Sequence, residues 1–316
     1  MAELIDKLEL RSESYVHCIS FNYFGDRMAL SCADQSIQVW NLEENKWKLS
    51  AKWNAHNGAV FKVRWAHPEF GTILASCSFD KSVKIYEENP QENSWTLLAS
   101  LVESKEPIED IQFAPHHLRL MLAACSSNGE IRIYEPSSVV NLKVWSVTKM
   151  FSACALGSNC IAWNPAVHEP PMLLIGNNDV QTATEKFGKN FDVDEELLQL
   201  WAVSEDTKEW EKKCVPARIH ERSIVDISWA QLMGRSKHLV ASCSYDGIVV
   251  IWRIDGSTGA MESEMNIRDD VGGPVWRVSW DVLGTMLTAI NGDGTVKVWK
   301  RNLQREWAEV GALQNR

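Results

Sequence analysis

Six times along this chain, a five-residue run with alternating apolar positions ends in an aromatic ring. The runs are Ser36-Ile37-Gln38-Val39-Trp40, Ser82-Val83-Lys84-Ile85-Tyr86, Glu130-Ile131-Arg132-Ile133-Tyr134, Leu197-Leu198-Gln199-Leu200-Trp201, Ile248-Val249-Val250-Ile251-Trp252 and Thr295-Val296-Lys297-Val298-Trp299. Apolar residues one and three places before each ring are the period-2 signature of a strand. The terminal rings stand 46, 48, 67, 51 and 47 residues apart. Self-similarity at such a period means one supersecondary unit used over and over.

Three more landmarks keep step with the first. Six places before each terminal ring stands Asp34, Asp80, Asn128, Glu195, Asp246 or Asp293, and three of these continue into Gly129, Gly247 and Gly294. Asn-Gly and Asp-Gly between apolar runs predict a hairpin with a type I′ turn. The preceding strands are then Met28 to Ser31, Ile73 to Cys77, Met121 to Cys125, Met172 to Ile175, Leu239 to Cys243 and Met286 to Ile290. Further upstream, Phe21, Trp65, Phe113, Trp163, Trp229 and Trp280 each follow a β-branched residue two places earlier, from Ile19 through Val278. After each hairpin, Trp47, Trp95, Trp145, Trp210 and Trp307 open a fourth strand, with Met261 in that place in the fifth repeat. This use of Trp accounts for fifteen Trp against five Tyr. Four short strands per repeat at this period make the chain all-β, a six-bladed WD-repeat β-propeller forming a single domain.

The expected layout is a spare N-terminal strand over 1–14, six four-stranded blades over 15–313, and an insertion loop over 179–196 in the fourth blade. The insertion is read from the 38 residues between Trp163 and Trp201, against 19 to 23 in the other repeats. It is polar and partly acidic, and is either a docking loop or a tolerated surface addition.

The ends of the chain do not match a closed ring. The sixth repeat owns all its strands, since Trp307 opens the last one. The segment Leu4-Ile5-Asp6-Lys7-Leu8-Glu9-Leu10 is then surplus, with Leu4, Leu8 and Leu10 on one face and Ile5, Lys7 and Glu9 on the other. A short apolar strand without a home blade is an exposed edge, and such edges recruit strands. Leu4, Ile5, Leu8 and Leu10 are therefore the candidate partner-binding residues of an open propeller completed by a partner's inserted strands. The alternative is that this strand packs on the sixth blade or frays.

The net charge of −10 argues against direct binding of nucleic acid, which needs a basic patch. The first residues lack a basic and an apolar signal region, and no stretch approaches a membrane span. Eight Cys without a signal peptide are expected as free thiols in the cytosol or nucleus.

Several stretches resemble the Seh nucleoporin family. They include Trp65-Ala66-His67-Pro68-Glu69-Phe70-Gly71 with Leu74-Ala75-Ser76-Cys77-Ser78-Phe79-Asp80, and Phe113-Ala114-Pro115-His116-His117 with Leu120-Met121-Leu122-Ala123. Ile131-Arg132-Ile133-Tyr134-Glu135, Gly234-Arg235-Ser236 and Val275-Trp276-Arg277-Val278-Ser279-Trp280 extend the likeness along the chain. The resemblance implies a scaffold without chemistry in the Y-shaped complex of the nuclear pore and nuclear envelope, serving protein and mRNA transport. Its implied partners are a helical scaffold nucleoporin that inserts a blade and the other members of the Y-complex. The same family also serves in GATOR-type complexes of TOR signalling at the lysosomal or vacuolar surface. The paralogous Sec-type propeller of the secretory coat shares the Trp-Ala-His-Pro motif and remains the alternative.

The competing class is an enzyme working in the central channel. His56 with Asp80 and His220 with Asp246 are the pairs that invite it, but in such repeats they form buried structural networks. Cys77, Cys125 and Cys243 hold equivalent strand positions and read as small packing residues. No Cys-x-x-Cys is present, the stretch Asn291-Gly292-Asp293-Gly294 falls on a hairpin turn, and no Gly-x-Ser-x-Gly elbow occurs. No catalytic residue, metal or cofactor is expected.

Overall fold

The computed structural model describes residues 14–89, 91–92, 94–191, 196–268, 273–302 and 306–313. Each repeat folds as a four-stranded antiparallel meander. Blade 1 holds β1 (Val16–Phe21), β2 (Arg27–Cys32), β3 (Ser36–Glu43) and β4 (Lys46–Asn54); blade 2 holds β5 (Val60–Trp65), β6 (Ile73–Ser78), β7 (Val83–Asn89) and β8 (Ser94–Leu101). Blade 3 holds β9 (Ile108–Phe113), β10 (Leu122–Ser126), β11 (Glu130–Pro136) and β12 (Trp145–Ser152). Blade 4 holds β13 (Ser158–Trp163), β14 (Met172–Asn177), β15 (Leu198–Val203) and β16 (Trp210–Cys214), with helix α1 (Val180–Phe187) between its second and third strands. Blade 5 holds β17 (Ile224–Trp229), β18 (His238–Ser244), β19 (Ile248–Ile254) and β20 (Met261–Arg268); blade 6 holds β21 (Val275–Trp280), β22 (Met286–Asn291), β23 (Val296–Arg301) and β24 (Trp307–Leu313). The fold is a six-bladed β-propeller, and the strands stand where the landmarks put them.

The chain divides into two compact units, the first ending at Ser152 and the second beginning at Ala153. In the first, β5 packs between β1 and β9; in the second, β17 packs between β13 and β21. Every first strand carries a β-bulge near its start, as between Val60 and Lys62 or Ile224 and Asp226. A bulge adds twist, and its recurrence gives each blade the same local bend. Core residues fill the space between successive blades. Ala29, Ile37 and Val39 of blade 1 meet Val60, Val63 and Leu74 of blade 2, and Ala241, Cys243 and Ile251 of blade 5 meet Val278, Leu287 and Ala289 of blade 6. Landmark Trp residues lock the blades: Trp65 donates its indole N–H to the Ser20 carbonyl at 3.0 Å, and Trp280 donates to the Ser228 carbonyl at 3.0 Å.

The hairpin turns differ from the type I′ expectation. Type I′ needs positive φ at both central residues. Here Gln35, Lys81, Gly129, Gly247 and Gly294 have positive φ, while the acidic or amide residue before each does not. Gly129 N–H donates to the Ser126 carbonyl at 2.8 Å, which places Asn128 third in the turn and Gly129 last. Side chains select this geometry. The Asp34, Asp80, Asn128, Asp246 and Asp293 side chains each accept the backbone N–H two residues on, at 2.8 to 3.2 Å. That bond fixes the turn whether Gly or another residue follows. The fourth-blade turn residue, Glu195, lies outside the described residues.

The 179–196 insertion also differs from a plain loop. Asp179 caps α1 by accepting the Thr182 N–H at 2.6 Å, and Gly188 ends the helix in the left-handed conformation at φ 64°.

Candidate functional site

The two His–Asp pairs sit in buried networks. In blade 2, His56 Nδ1 lies 3.0 Å from Asp80 Oδ2, and its Nε2 lies 2.8 Å from Ser76 Oγ. In blade 5, His220 Nδ1 lies 3.3 Å from Asp246 Oδ2, and its Nε2 lies 2.7 Å from Ser242 Oγ. Trp252 Nε1 donates to the same Ser242 hydroxyl at 2.8 Å. That hydroxyl then has its proton for His220 Nε2, so the imidazole keeps its proton on Nδ1 and gives it to Asp246. Tyr86 replaces the Trp in blade 2 and donates to the Ala55 carbonyl at 2.8 Å.

The Ser–His–Asp order matches that of a hydrolase triad, but Ser76 and Ser242 are fully buried. A nucleophile must reach a substrate carbonyl, and these hydroxyls are spent inside the blades. Burial, offset in part by Asp80, holds the His56 ring below its usual pKa. Burial alone would raise the Asp80 carboxyl. Hydrogen bonds from His56, Ser82 and the Asn57 N–H outweigh it and leave the carboxyl well below the usual range. Asp246 is shifted the same way, with His220 as the main counterweight to burial. Cys77 and Cys125 are fully buried, and burial pushes both thiols well above their usual pKa, which suits inert packing residues. None of the eight Cys is in a disulfide.

The repeat pattern breaks in burial at the first and last blades. Val63, Ile111, Ile161, Ile227 and Val278, the β-branched landmarks of blades 2 to 6, are at most 7% exposed. Ile19, the same landmark in blade 1, is 53% exposed, and Phe21 beside it is 55% exposed. Register explains where they point. Ile19 pairs with Leu30 and Phe21 with Met28, on the face opposite to Ala29, which packs on blade 2. Met28, Leu30 and Cys32 on that face are buried beneath Val16, Trp40 and Trp47, so the exposed part runs along β1. In blade 6, Ile290 is 39% exposed, whereas Ser31, Cys77, Cys125 and Cys243 at the equivalent position are fully buried. Ile290 and Met286 lie on the face turned away from Leu287 and Ala289, the residues that pack on blade 5.

These open faces are the candidate interaction site. Leu4, Ile5, Leu8 and Leu10, the residues singled out by sequence, lie outside the described residues. Sequence reasoning missed Ile19, Phe21 and Ile290 because they satisfy the repeat pattern as well as their buried equivalents do. The signal available was position: they belong to the first and last copies of the repeat.

Other features are absorbed by the fold. Asp293 in the Asn291-Gly292-Asp293-Gly294 turn accepts Thr295 N–H and Oγ–H, both at 2.8 Å. Arg235 of the Gly234-Arg235-Ser236 motif donates to the carbonyls of Gln231, Leu283 and Gly284, tying two loops of blades 5 and 6 together. No group of three or more metal-ligating side chains is found among the described residues, and no described helix is long and apolar enough to cross a membrane.

Comparison with known proteins agrees with this architecture. Residues 5–41, 47–87 and 268–300 match the WD domain, G-beta repeat family. Nucleoporin SEH1-A of Xenopus laevis is 36% identical over 318 aligned positions, covering 95% of this chain and 85% of that protein. Nucleoporin SEH1 of Homo sapiens is 35% identical with the same coverage, and that of Danio rerio is 35% identical over 95% of this chain and 84% of its own length. Identity of that depth, spread across all six blades, means that the chain belongs to the SEH1 nucleoporin family.

Proposed function

We propose that this chain is a non-enzymatic scaffold subunit of the Y-shaped complex of the nuclear pore. Its place there is in pore assembly and in the transport of protein and mRNA. A helical scaffold nucleoporin contributes strands that complete the open propeller, with Leu4, Ile5, Leu8 and Leu10 as partner-binding residues. The observation that carries this reading is Ile19, 53% exposed where five equivalent residues are buried. A sheet face with apolar residues in water favours another sheet over it. The names of the relatives supply the nuclear pore context.

The test is affinity purification of the tagged chain, followed by identification of what comes with it. Recovery of Y-complex nucleoporins supports the reading, and recovery of secretory-coat or GATOR-type subunits in their place redirects it. Ile19→Asp with Phe21→Asp places two charges on the open face of β1 and is expected to abolish recovery of the direct partner. Undiminished recovery would remove the face from the account.

A further inference from the structure

Three Asn-Gly pairs occur in the chain: Asn57-Gly58, Asn128-Gly129 and Asn291-Gly292. In such a pair the glycine nitrogen can attack the side-chain amide before it, because glycine brings no side chain to block the approach. The fold treats the three differently. Gly129 N–H donates to the Ser126 carbonyl at 2.8 Å, and Gly292 N–H donates to the Pro274 carbonyl at 2.7 Å. Asn128 Oδ1 also accepts the Ser126 hydroxyl at 2.5 Å and the Glu130 N–H at 3.2 Å, and Asn291 is 7% exposed. In both of these pairs the attacking nitrogen is already engaged. Asn57 is exposed, and among the described residues neither its side chain nor the Gly58 N–H makes a hydrogen bond.

The Asn57 backbone also serves the buried network of blade 2. Its N–H donates to Asp80 Oδ2 at 2.9 Å, the oxygen that lies 3.0 Å from His56 Nδ1. Gly58 fits tightly beside it, since a Cβ there would stand 3.0 Å from the Asp80 nitrogen and 3.4 Å from Ser78 Oγ. Close packing thus favours the very glycine that leaves Asn57 open to attack. Blade 5 gives an internal comparison. Glu221 takes the place of Asn57 and donates its N–H to Asp246 Oδ2 at 2.8 Å, with Arg222 in the place of Gly58. An anionic side chain at this position is therefore compatible with the backbone bond.

We propose that Asn57 is a site of spontaneous deamidation with the Gly58 nitrogen as nucleophile, and that the isoaspartyl product releases Asp80 from the blade 2 network. The Gly58 nitrogen loses its proton and bonds to the Asn57 side-chain carbonyl carbon. The bond from that carbon to the side-chain nitrogen breaks, and the nitrogen takes up the proton and leaves as ammonia. Water then opens the succinimide ring. Cleavage of the newly formed bond leaves aspartate at position 57 with its main chain intact. Cleavage of the original peptide bond leaves isoaspartate, whose main chain runs through the side-chain carbon. Aspartate keeps the bond to Asp80, as Glu221 does to Asp246 in blade 5. Isoaspartate adds a carbon to the main chain where residue 58 already touches Asp80, and the 57 N–H is displaced from the carboxylate.

The experiment incubates the folded full chain in mildly alkaline buffer and follows three tryptic peptides by mass spectrometry: 53–62 and those that hold Asn128 and Asn291. Position 57 is expected to exchange its amide for a carboxylate at least about tenfold faster than the other two, because their glycine nitrogens must first break a hydrogen bond. The rate should rise with pH, since the nitrogen must lose its proton. In urea the turn bonds are gone, and the three rates should converge. Equal rates in the folded chain, or a position 57 that reacts in urea and stays intact when folded, would overturn the proposal. Asn57→Gln should suppress the reaction at that position. Isoaspartate is scored by methyl transfer from S-adenosylmethionine with an isoaspartyl methyltransferase, and the deamidated fractions are separated by ion exchange. The isoaspartyl fraction should melt below the parent, and Asn57→Asp should melt with it. An isoaspartyl fraction that melts with the parent, or Asn57→Asp that melts as low as that fraction, would overturn the link to Asp80.

Discussion

At the scale of single residues, the His56–Asp80 network makes stability depend on pH in a definite direction. His56 and Asp80 both bind protons more weakly in the folded chain than their usual values imply. The unfolded chain therefore takes up more protons as pH falls, and stability is lost with acid. The His56 contribution is complete above about pH 6.5 and fades below it, and the Asp80 contribution fades below about pH 4. The thermal midpoint should fall steadily from pH 7 to pH 4 and more steeply below. Asp80→Asn should lower the midpoint at pH 7 and flatten the slope below pH 4, as followed by circular dichroism. Parallel curves for parent and variant would show that the network carries none of the dependence. Ser242 gives a second residue-level prediction. Its hydroxyl serves both Trp252 and His220, so Ser242→Ala strands two buried groups at about 1–3 kcal/mol each. A loss of about 2–4 kcal/mol in denaturant unfolding is expected, and a loss under about 1 kcal/mol would mean water takes the place of the hydroxyl.

At the scale of elements, side-chain clamps join neighbouring blades. Arg27 of β2 reaches Glu88 of β7 with two hydrogen bonds, at 2.6 and 2.7 Å, and lies over the rings of Trp65 and Trp95. Lys62 of β5 lies 3.4 Å from Asp110 of β9, both nearly inaccessible to water. Asp110→Ala leaves that ammonium buried without its carboxylate, and a loss of about 3–5 kcal/mol is expected by denaturant titration. A loss below about 1 kcal/mol would mean that Lys62 moves out to solvent. Helix α1 is held in the same manner, since Asp179 both caps it and takes the Arg222 Nε–H at 2.5 Å. The strands were legible in the sequence because apolar side chains recur at every second place, as at Ile37 and Val39, which pack against blade 2. The turns were legible in place and misread in type. Asp-Gly describes only what the backbone tolerates, whereas the Asp side chain bonding two residues ahead decides the geometry. Helix α1 was hidden because its polar, short sequence has no apolar period of its own. Its cap residue Asp179 and its stop Gly188 were the visible signs. The networks of His56 and His220 were readable because spacing within the repeat brings the same residue types together in both blades.

At the scale of the whole molecule, the first and last copies of the repeat are the ones in which repetition fails to bury Ile19, Phe21 and Ile290. Ile19 and Ile290 obey the same pattern as Val63 and Cys77, yet sequence pattern encodes which face is apolar and says nothing of what covers it. Under the proposed function, a partner covers the exposed apolar residues of each end blade. Hydrogen exchange on the complex with the purified partner tests that. Amides of β1 and β2 in blade 1 and of β22 and β23 in blade 6 should slow in the same complex, while those of blades 3 and 4 far along the chain change little. Protection confined to blade 1 would describe docking on one exposed sheet, with Ile290 and Met286 left in water. Protection of blade 6 that disappears in Ile290→Asp, while the chain alone keeps its thermal midpoint, would assign the Ile290 face to the partner.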